Sequence, residues 1–595
     1  MTFGSCSVHP SSPPENGGVE AWEDGVIPHL RRLSEAVHAH GALVISQISH
    51  RGRRSTSTST ERALLAPSDL PEPAHREIPH ELEPEQIEEL IAAFAAAAVR
   101  FRAGGYDGVE VNSFGGQLIE QFWSPLMNRR TDEWGGSLEN RMRFGVQVVE
   151  AVRAAVGPDF VVGFRMTGDE MLPGGLGRED LREIAARMDA LGKIDYFNIS
   201  GAVGAELKPQ AASVPSMDFP HLVFAPLARS MKQVVGVPVL YAGRVITPLE
   251  AETVLERGEA DIVAMTRAMI ADPELVNKAR EGRLDDIRLC VGANEGCIGR
   301  RFAGASITCV QNPVVGREAE LAEIRPAAKP RRVVVVGGGP AGLEVARVAA
   351  LRGHRVTLFE REARLGGQIL LAARAPQRQE YAGVVAWLER QVRKLVAEIH
   401  LATEATPEAV LALEPEVVVA ATGSRPRVPE IPGADLPHVH SVNDILSGRR
   451  TAGERCVILD DDGHQRGPST ADLLSAQGKR VTIVTRLWSV GEDVDVTLKP
   501  LLYERLFSQG VEMLPHTRPV GIGPDWVRLA NVYSGQETLL ESVDTVVTAY
   551  GGKAVDDLYR ALKGHGPELH LVGDAMAPRR LADATLEGTR AGRAI

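Results

Sequence analysis

The chain has 595 residues, 44% of them apolar and 24% charged, and carries a net charge of −12. That length is too great for one ordinary core, so about two to four domains are expected. The acidic balance and an aromatic content of 5% exclude a surface built to neutralise nucleic-acid phosphates, coat an anionic membrane or stack bases.

Five cysteines are too few, and odd in number, for a disulfide framework, which fits a reducing cytoplasm. No run of 18 apolar residues signals a membrane span. The opening MTFGSCSVHPSSPPENG lacks the charged start and apolar stretch of a signal peptide.

Along the chain, short apolar runs alternate with amphipathic helical patterns up to about residue 320. The strand candidates are GALVISQI (41–48), YDGVEVN (106–112), FVVGFRM (160–166), IDYFNIS (194–200), VPVLYAG (237–243) and ADIVAMT (260–266). Between them lie helical segments such as EQIEELIAAFAAAAVRFRAGG and RFGVQVVEAVRAAVG. Apolar strands alternating with helices predict parallel βα units covered on both faces. Repeated this often, they predict a (β/α)8-type barrel, although six strands fall short of the eight such a barrel needs.

A linker rich in proline and charge, REAELAEIRPAAKPRR (317–332), leads into VVVVGGGPAGLEVA. Gly337, Gly339 and Gly342 follow a run of four valines, open a helix, and precede Glu360 by a βα unit's length. This is the full context of a dinucleotide fingerprint. Gly337 permits the tight turn, Gly339 lets backbone approach a pyrophosphate, Gly342 lets helix and strand pack, and Glu360 accepts from ribose hydroxyls. The helix N-terminus favours the phosphates. ATGSRPRVP (421–429) and LHLVGDA, with Asp574, resemble flavin-type dinucleotide domains, and Gln368 joins the expected nucleotide contacts.

A second αβ region begins near residue 453, with strands at 456–460 and 480–485. Its turn reads LDDDGHQRGPST, so Asp460, Asp461 and Asp462 stand where a pyrophosphate would bind. Their charge disfavours a nucleotide there, and NAD(P)H binding is left open.

QFWSPLMNRRTDEWGGSLENRMRF (121–144) resembles the old yellow enzyme family of FMN-dependent barrels, as do QISHRGRR (47–54), VGFRMTGDE (162–170), YAGRVITP (241–248) and VAMTRAMIADP (263–273). A barrel followed by clustered cysteines and a dinucleotide half is similar to the branch holding 2,4-dienoyl-CoA reductases, trimethylamine dehydrogenases and N-demethylases. The resemblance implies a barrel at 1–289, a cysteine segment and linker at 290–330, and an FAD- or ADP-binding Rossmann-like domain at 331–452. A degenerate NAD(P)-binding-like subdomain follows at 453–560, with a return to the FAD-type domain at 561–595. It also implies that the first βα units precede FGSCSVHP, so that this chain reads as a fragment or a start misplaced downstream.

Carried over by position, Gln47 and Arg165 contact the FMN ring, and a cation at Arg165 stabilises the anionic reduced flavin. Gly243, Arg244 and Arg267 follow the last two strands, where such barrels bind phosphate. His50 and Arg53 belong either to the same face or to a solvated basic loop. The family's His/His or His/Asn pair is Asn112 and Gly115 here, and Gln117 stands where a proton-donating Tyr is used. Asn and Gln do not donate a proton to a carbanion. This favours oxidative N-demethylation of a small N-methylated amine or amino acid, with NAD(P)H-dependent reduction of an enone or dienoyl-CoA as the alternative. A non-catalytic dinucleotide-binding scaffold is the alternative from another class.

In such relatives four cysteines bind a 4Fe-4S cluster. Cys290, Cys297 and Cys309 match three of them and Ala293 replaces the fourth. A cluster with a non-cysteine ligand such as Asn294 or Glu295, a 3Fe-4S cluster, and loss of the cluster with relic thiols all stay open; zinc lacks a nearby histidine. The expected partners are a small-molecule substrate, an electron-acceptor protein such as an electron-transfer flavoprotein, and a second copy of the chain.

Overall fold

The computed structural model describes residues 2–14, 18–204 and 206–595. It divides into two compact units, Met1–Pro215 with Phe219–Thr266, and Ser216–Asp218 with Arg267–Ile595.

In the first unit, a seven-stranded sheet runs in chain order through Thr2–Ser7, Ile45–Ser49, Gly108–Asn112, Val161–Thr167, Tyr196–Ser200, Val239–Ala242 and Ile262–Ala264. Every neighbouring pair is parallel. Strands laid down in sequence order with helical crossovers are the build of a βα barrel. The count corrects the expectation of six strands. Thr2–Ser7 is a seventh, paired from Thr2↔Ile45 to Ser7↔Ser49. Its small polar residues hide it from an apolar-run search, yet Cys6 is buried and bonds Ser46.

The covering helices form for local reasons. Pro84–Ala103 starts with a proline and a reciprocal Glu83/Gln86 cap. It buries Ile87, Leu90, Phe94, Ala97, Ala98 and Phe101, the three- and four-residue spacing of one helix face. Leu138–Val156 is capped by the Ser137 side chain and buries Val148, Val149, Val152 and Val156.

The second unit holds two five-stranded parallel sheets. One has the order Glu398–His400, Arg355–Phe359, Arg332–Val336, Val417–Ala420, Glu568–Leu571; the chain's last strand therefore returns to it. The other has the order Val439–Ser441, Thr545–Ala549, Arg455–Asp460, Arg480–Thr485, Glu512–Leu514. Both are doubly wound nucleotide-type sheets. Among the described residues, no helix is long and apolar enough to cross a membrane.

Candidate functional site

Strand register in the first unit stacks polar side chains inside the sheet. Gln47, Glu110, Gly163 and Tyr196 pair in one layer, and Asn112, Arg165 and Asn198 in the next. Such layers are how barrel interiors are filled. Gly163 is required because a Cβ there would collide with the Tyr196 ring. Glu110, fully buried, accepts from Gln47 Nε2 at 2.6 Å, the Tyr196 hydroxyl at 2.8 Å and Asn198 Nδ2 at 3.0 Å.

Arg165 lies over the Phe114 ring at 4.6 Å, and its Nε finds no hydrogen-bond partner among the described residues. Burial pulls its pKa down, and the Glu110 carboxylate opposes that. A buried guanidinium with an unused N–H facing a barrel interior is a place made for a further polar group. The residues present therefore fit FMN, whose ring would be met by Gln47 and Arg165.

The segment after Gly108–Asn112 turns through Gly115 and Gly116, both at positive φ, into the buried helix Leu118–Trp123. Asn112 Oδ1 accepts from the Phe114 N–H at 3.1 Å. Gln117 caps the helix, and its Oε1 is buried without a partner among the described residues.

His50 is not on a solvated loop. It is buried, its Nδ1 accepting from the Gly52 N–H at 3.0 Å and its Nε2 3.0 Å or less from Ser11 Oγ (2.9 Å). Burial first, and His9 second, push its pKa down to about 3, so it is a neutral, fully occupied imidazole. Arg53 is buried too, donating to the Leu70 carbonyl at 3.0 Å.

Gly243 and Arg244 follow the sixth strand. Arg244 has φ 56, a backbone state uncommon outside glycine, and donates to the Phe219 carbonyl. Such a residue is a hint of function. Arg267 belongs to the second unit, where it donates to Asn294 Oδ1 at 2.9 Å.

The glycine turn of the second unit behaves as its sequence requires. A Cβ on Gly342 would overlap the Gly337 carbonyl, whereas one on Gly339, the cap of Pro340–Leu351, would meet open space. Glu360 accepts from the Gly338 N–H at 2.7 Å. Gln368 Nε2 donates to Ser424 Oγ at 2.8 Å, and that hydroxyl donates to Asp574 Oδ2 at 2.8 Å. Gly337, Gly339, Glu360, Gln368 and Asp574 all line one cavity of about 950 Å³, a volume at the upper end of small-molecule sites.

The three clustered thiols fare differently. Cys297 and Cys309 are pushed up by burial, Cys297 to about 11, while backbone N–H groups of Ile298, Gln311 and Asn312 reach toward their sulfurs. The proposed substitutes for the missing ligand are engaged elsewhere. Asn294 Nδ2 donates to Thr497 Oγ1 at 3.0 Å, and Glu295 accepts from the Tyr381 hydroxyl at 2.9 Å. Ala293, at the second of the four expected positions, is buried. Among the described residues, no group of three or more His, Cys, Asp or Glu side chains is arranged to hold a metal ion. Cys290 acts electrostatically on both Cys297 and Cys309, so the three thiols are neighbours, with Asn294 and Glu295 bonded elsewhere.

Sequence reading missed Glu110, Tyr196 and Asn198. The signal was present in GVEVN, where Glu110 and Asn112 alternate with Val109 and Val111 and so point to the opposite face.

A parallel barrel sheet carrying a cation among inward polar residues, followed by a glycine-turn nucleotide domain, defines a two-part flavin-dependent oxidoreductase. The chain belongs to the NADH:flavin oxidoreductase / NADH oxidase family, whose pattern matches residues 1–286; the pyridine nucleotide-disulphide oxidoreductase pattern matches 258–414 and 331–569. It is 43% identical to the N,N-dimethylglycine/sarcosine dehydrogenase of Chromohalobacter salexigens, over 94% of this chain and 83% of that protein. It is 36% identical to a probable N-methylproline demethylase of Rhizobium meliloti, over 100% of this chain and 89% of that one. The structure of a 2-naphthoyl-CoA reductase in complex with 2-naphthoyl-CoA superposes with a TM-score of 0.93 at 33% identity, covering 100% of this chain and 91% of that one.

Proposed function

We propose that the chain oxidatively N-demethylates a small N-methylated amine or amino acid, with FMN, which Gln47 and Arg165 would hold in the first unit, supplying the hydride acceptor for the N-methyl carbon. The iminium left behind adds water and falls apart to formaldehyde, a proton and the demethylated amine. Gln47 and Arg165 hold the flavin ring, with Gly243 and Arg244 toward its phosphate. Arg165 steadies the charge that the ring gains on reduction. A flavin nucleotide or its ADP moiety occupies the cavity beside Gly337, Gly339, Gly342, Glu360, Gln368 and Asp574. An electron-acceptor protein or another external oxidant then takes the electrons.

The observation that carries this reading is the absence of a proton donor at Asn112, Gly115 and Gln117. Hydride removal from a neutral amine needs none, whereas reduction of an enone or dienoyl-CoA does. The two N-methyl amino-acid relatives point the same way.

The test is anaerobic mixing of the purified yellow protein with N,N-dimethylglycine, sarcosine and NADPH in separate syringes. The expected result is loss of the flavin absorbance on addition of an amine, with formaldehyde released. Bleaching by NADPH together with indifference to every amine would overturn the reading in favour of C=C reduction.

A further inference from the structure

Arg54 lies beside the turn that carries Phe114 and is used by none of the roles above. Its Nε meets Glu72 Oε1 at 3.0 Å, and Nη1 donates to the Gly115 carbonyl. Its chain runs across Gly116, and a Cβ on Gly204 would overlap its guanidinium. The Phe114–Gly115 turn thus meets two guanidinium groups. Arg165 lies over the Phe114 ring, inside the sheet, and Arg54 grips the next carbonyl. Glu72 and the Gly115 carbonyl take Nε and Nη1, and the side chain keeps 17% of its surface open.

The surroundings are polar. Ser55 Oγ, Gln117 Oε1, Glu120 Oε1 and Glu170 Oε1 are buried without hydrogen-bond partners among the described residues. Glu72 is ionised. Burial works against that, but its bonds to His75 and Arg54 hold it below the usual carboxylate range. Glu120 and Glu170 go the other way, pushed up first by burial, with Glu120 raised further by Glu170. Glu72, Glu170 and Glu206 all act on the neighbouring Arg53. A guanidinium receives a carboxylate through charge-assisted hydrogen bonds.

We propose that Arg54 binds the carboxylate of the substrate and so selects N-methylated amino acids over plain N-methylated amines. This rests on the amine-oxidation reading and narrows its substrate class. The carboxylate bonds to Nη2, which sets the N-methyl group toward the flavin.

Two measurements on the flavin-loaded full chain test it. The first compares kcat/KM for N,N-dimethylglycine with that for N,N-dimethylethylamine, which differs in lacking the carboxylate. Losing a charge-assisted pair is expected to lower the ratio of the two values about 100-fold in Arg54→Gln, mostly through KM for the amino acid. Arg54→Lys keeps the charge without the fork and falls between. The second titrates betaine, N,N,N-trimethylglycine, and follows the flavin absorbance. Betaine carries the carboxylate but no nitrogen lone pair, so it binds without turnover. The expected spectral change saturates in the natural chain, needs about 10-fold more betaine in Arg54→Lys and vanishes in Arg54→Gln.

An unchanged substrate ratio in the folded, flavin-loaded variants overturns the role of Arg54 and leaves amine oxidation standing. A chain that oxidises no amine, yet binds betaine only when Arg54 is present, overturns amine oxidation and keeps the carboxylate site. Should Arg54→Gln not fold, an Arg54→Lys protein equal to the natural one in both measurements overturns the proposal.

Discussion

The two five-stranded sheets of the second unit have the same doubly wound build and opposite chemistry at the turn after the central strand. After Arg332–Val336 the turn is Gly337–Gly338–Gly339, and nothing lies within 4 Å of the position a Cβ of Gly339 would take. After Arg455–Asp460 it is Asp461–Asp462–Gly463. Asp460 turns its carboxyl under the start of the helix Arg466–Ala476, so close that a Cβ on Gly467 would lie 2.7 Å from its Cγ. Its Oδ1 accepts from the Asp462 N–H at 3.3 Å. Backbone N–H groups that would receive a phosphate thus receive an internal carboxyl. Asp461 is paired in turn with Arg486 at 2.5 Å. A nucleotide fold is kept, with three acidic residues and one arginine at its turn.

The comparison breaks most visibly at Gly342. In Gly342→Val the side chain must displace the Gly337 carbonyl that shapes the open turn. A loss of more than ~3 kcal/mol is expected, together with loss of the second nucleotide. Nucleotide released by acid precipitation and resolved by chromatography checks this. Retention of a full equivalent would show that the glycine turn is not the seat.

Asp460→Asn sharpens the other side. Burial first, and Asp462 second, raise the Asp460 carboxyl from its usual range to about 7. The unfolded chain gives up this proton near pH 4 while the folded chain keeps it, so stability falls as pH rises from about 4. The loss stops near pH 7, once the folded group also ionises. Over some three units the cost reaches about 4 kcal/mol. Asn carries no such cost. The variant is expected to melt several degrees higher than the natural chain at pH 8, with the gap closing at pH 4. A gap that does not change with pH would show that Asp460 does not hold its proton in the fold.

Much of this was legible because single residues carry it. Gly337, Gly339 and Gly342 each answer a steric demand within one βα unit, and the aspartates announce their charge in the same stretch of chain. The six apolar strands were legible from composition, whereas Thr2–Ser7 was not. Its strand character comes from pairing with Ile45–Ser49, a contact made 40 residues away. Glu110, Tyr196 and Asn198 were hidden for a related reason. Which face a polar strand residue takes is local, but which residues then meet across three strands is set by register. Arg54 was quoted only as part of a motif, because its partners Glu72 and Gly115 lie 18 and 61 residues further on. The cysteine spacing was legible too, but the bonds of Asn294 and Glu295 were not, because their partners Thr497 and Tyr381 lie far along the chain.

The smallest expected effect is at Arg486. Its side chain is 61% exposed, so the pair with Asp461 is well screened, and Arg486→Ala is expected to change stability by no more than ~1 kcal/mol. The informative measurement is NADP+ titration by calorimetry in both proteins. Arg486 stands at the end of Arg480–Thr485, a position from which an arginine can receive a ribose phosphate. If it serves that purpose, the natural chain takes up NADP+ and the variant does not. If it serves to neutralise Asp461, neither protein gives heat, and removing Arg486 makes the seat still less hospitable to phosphate. The second result is expected. Asp460 already occupies the helix start, and a bound pyrophosphate would have to evict a carboxyl from backbone bonds that form part of the fold.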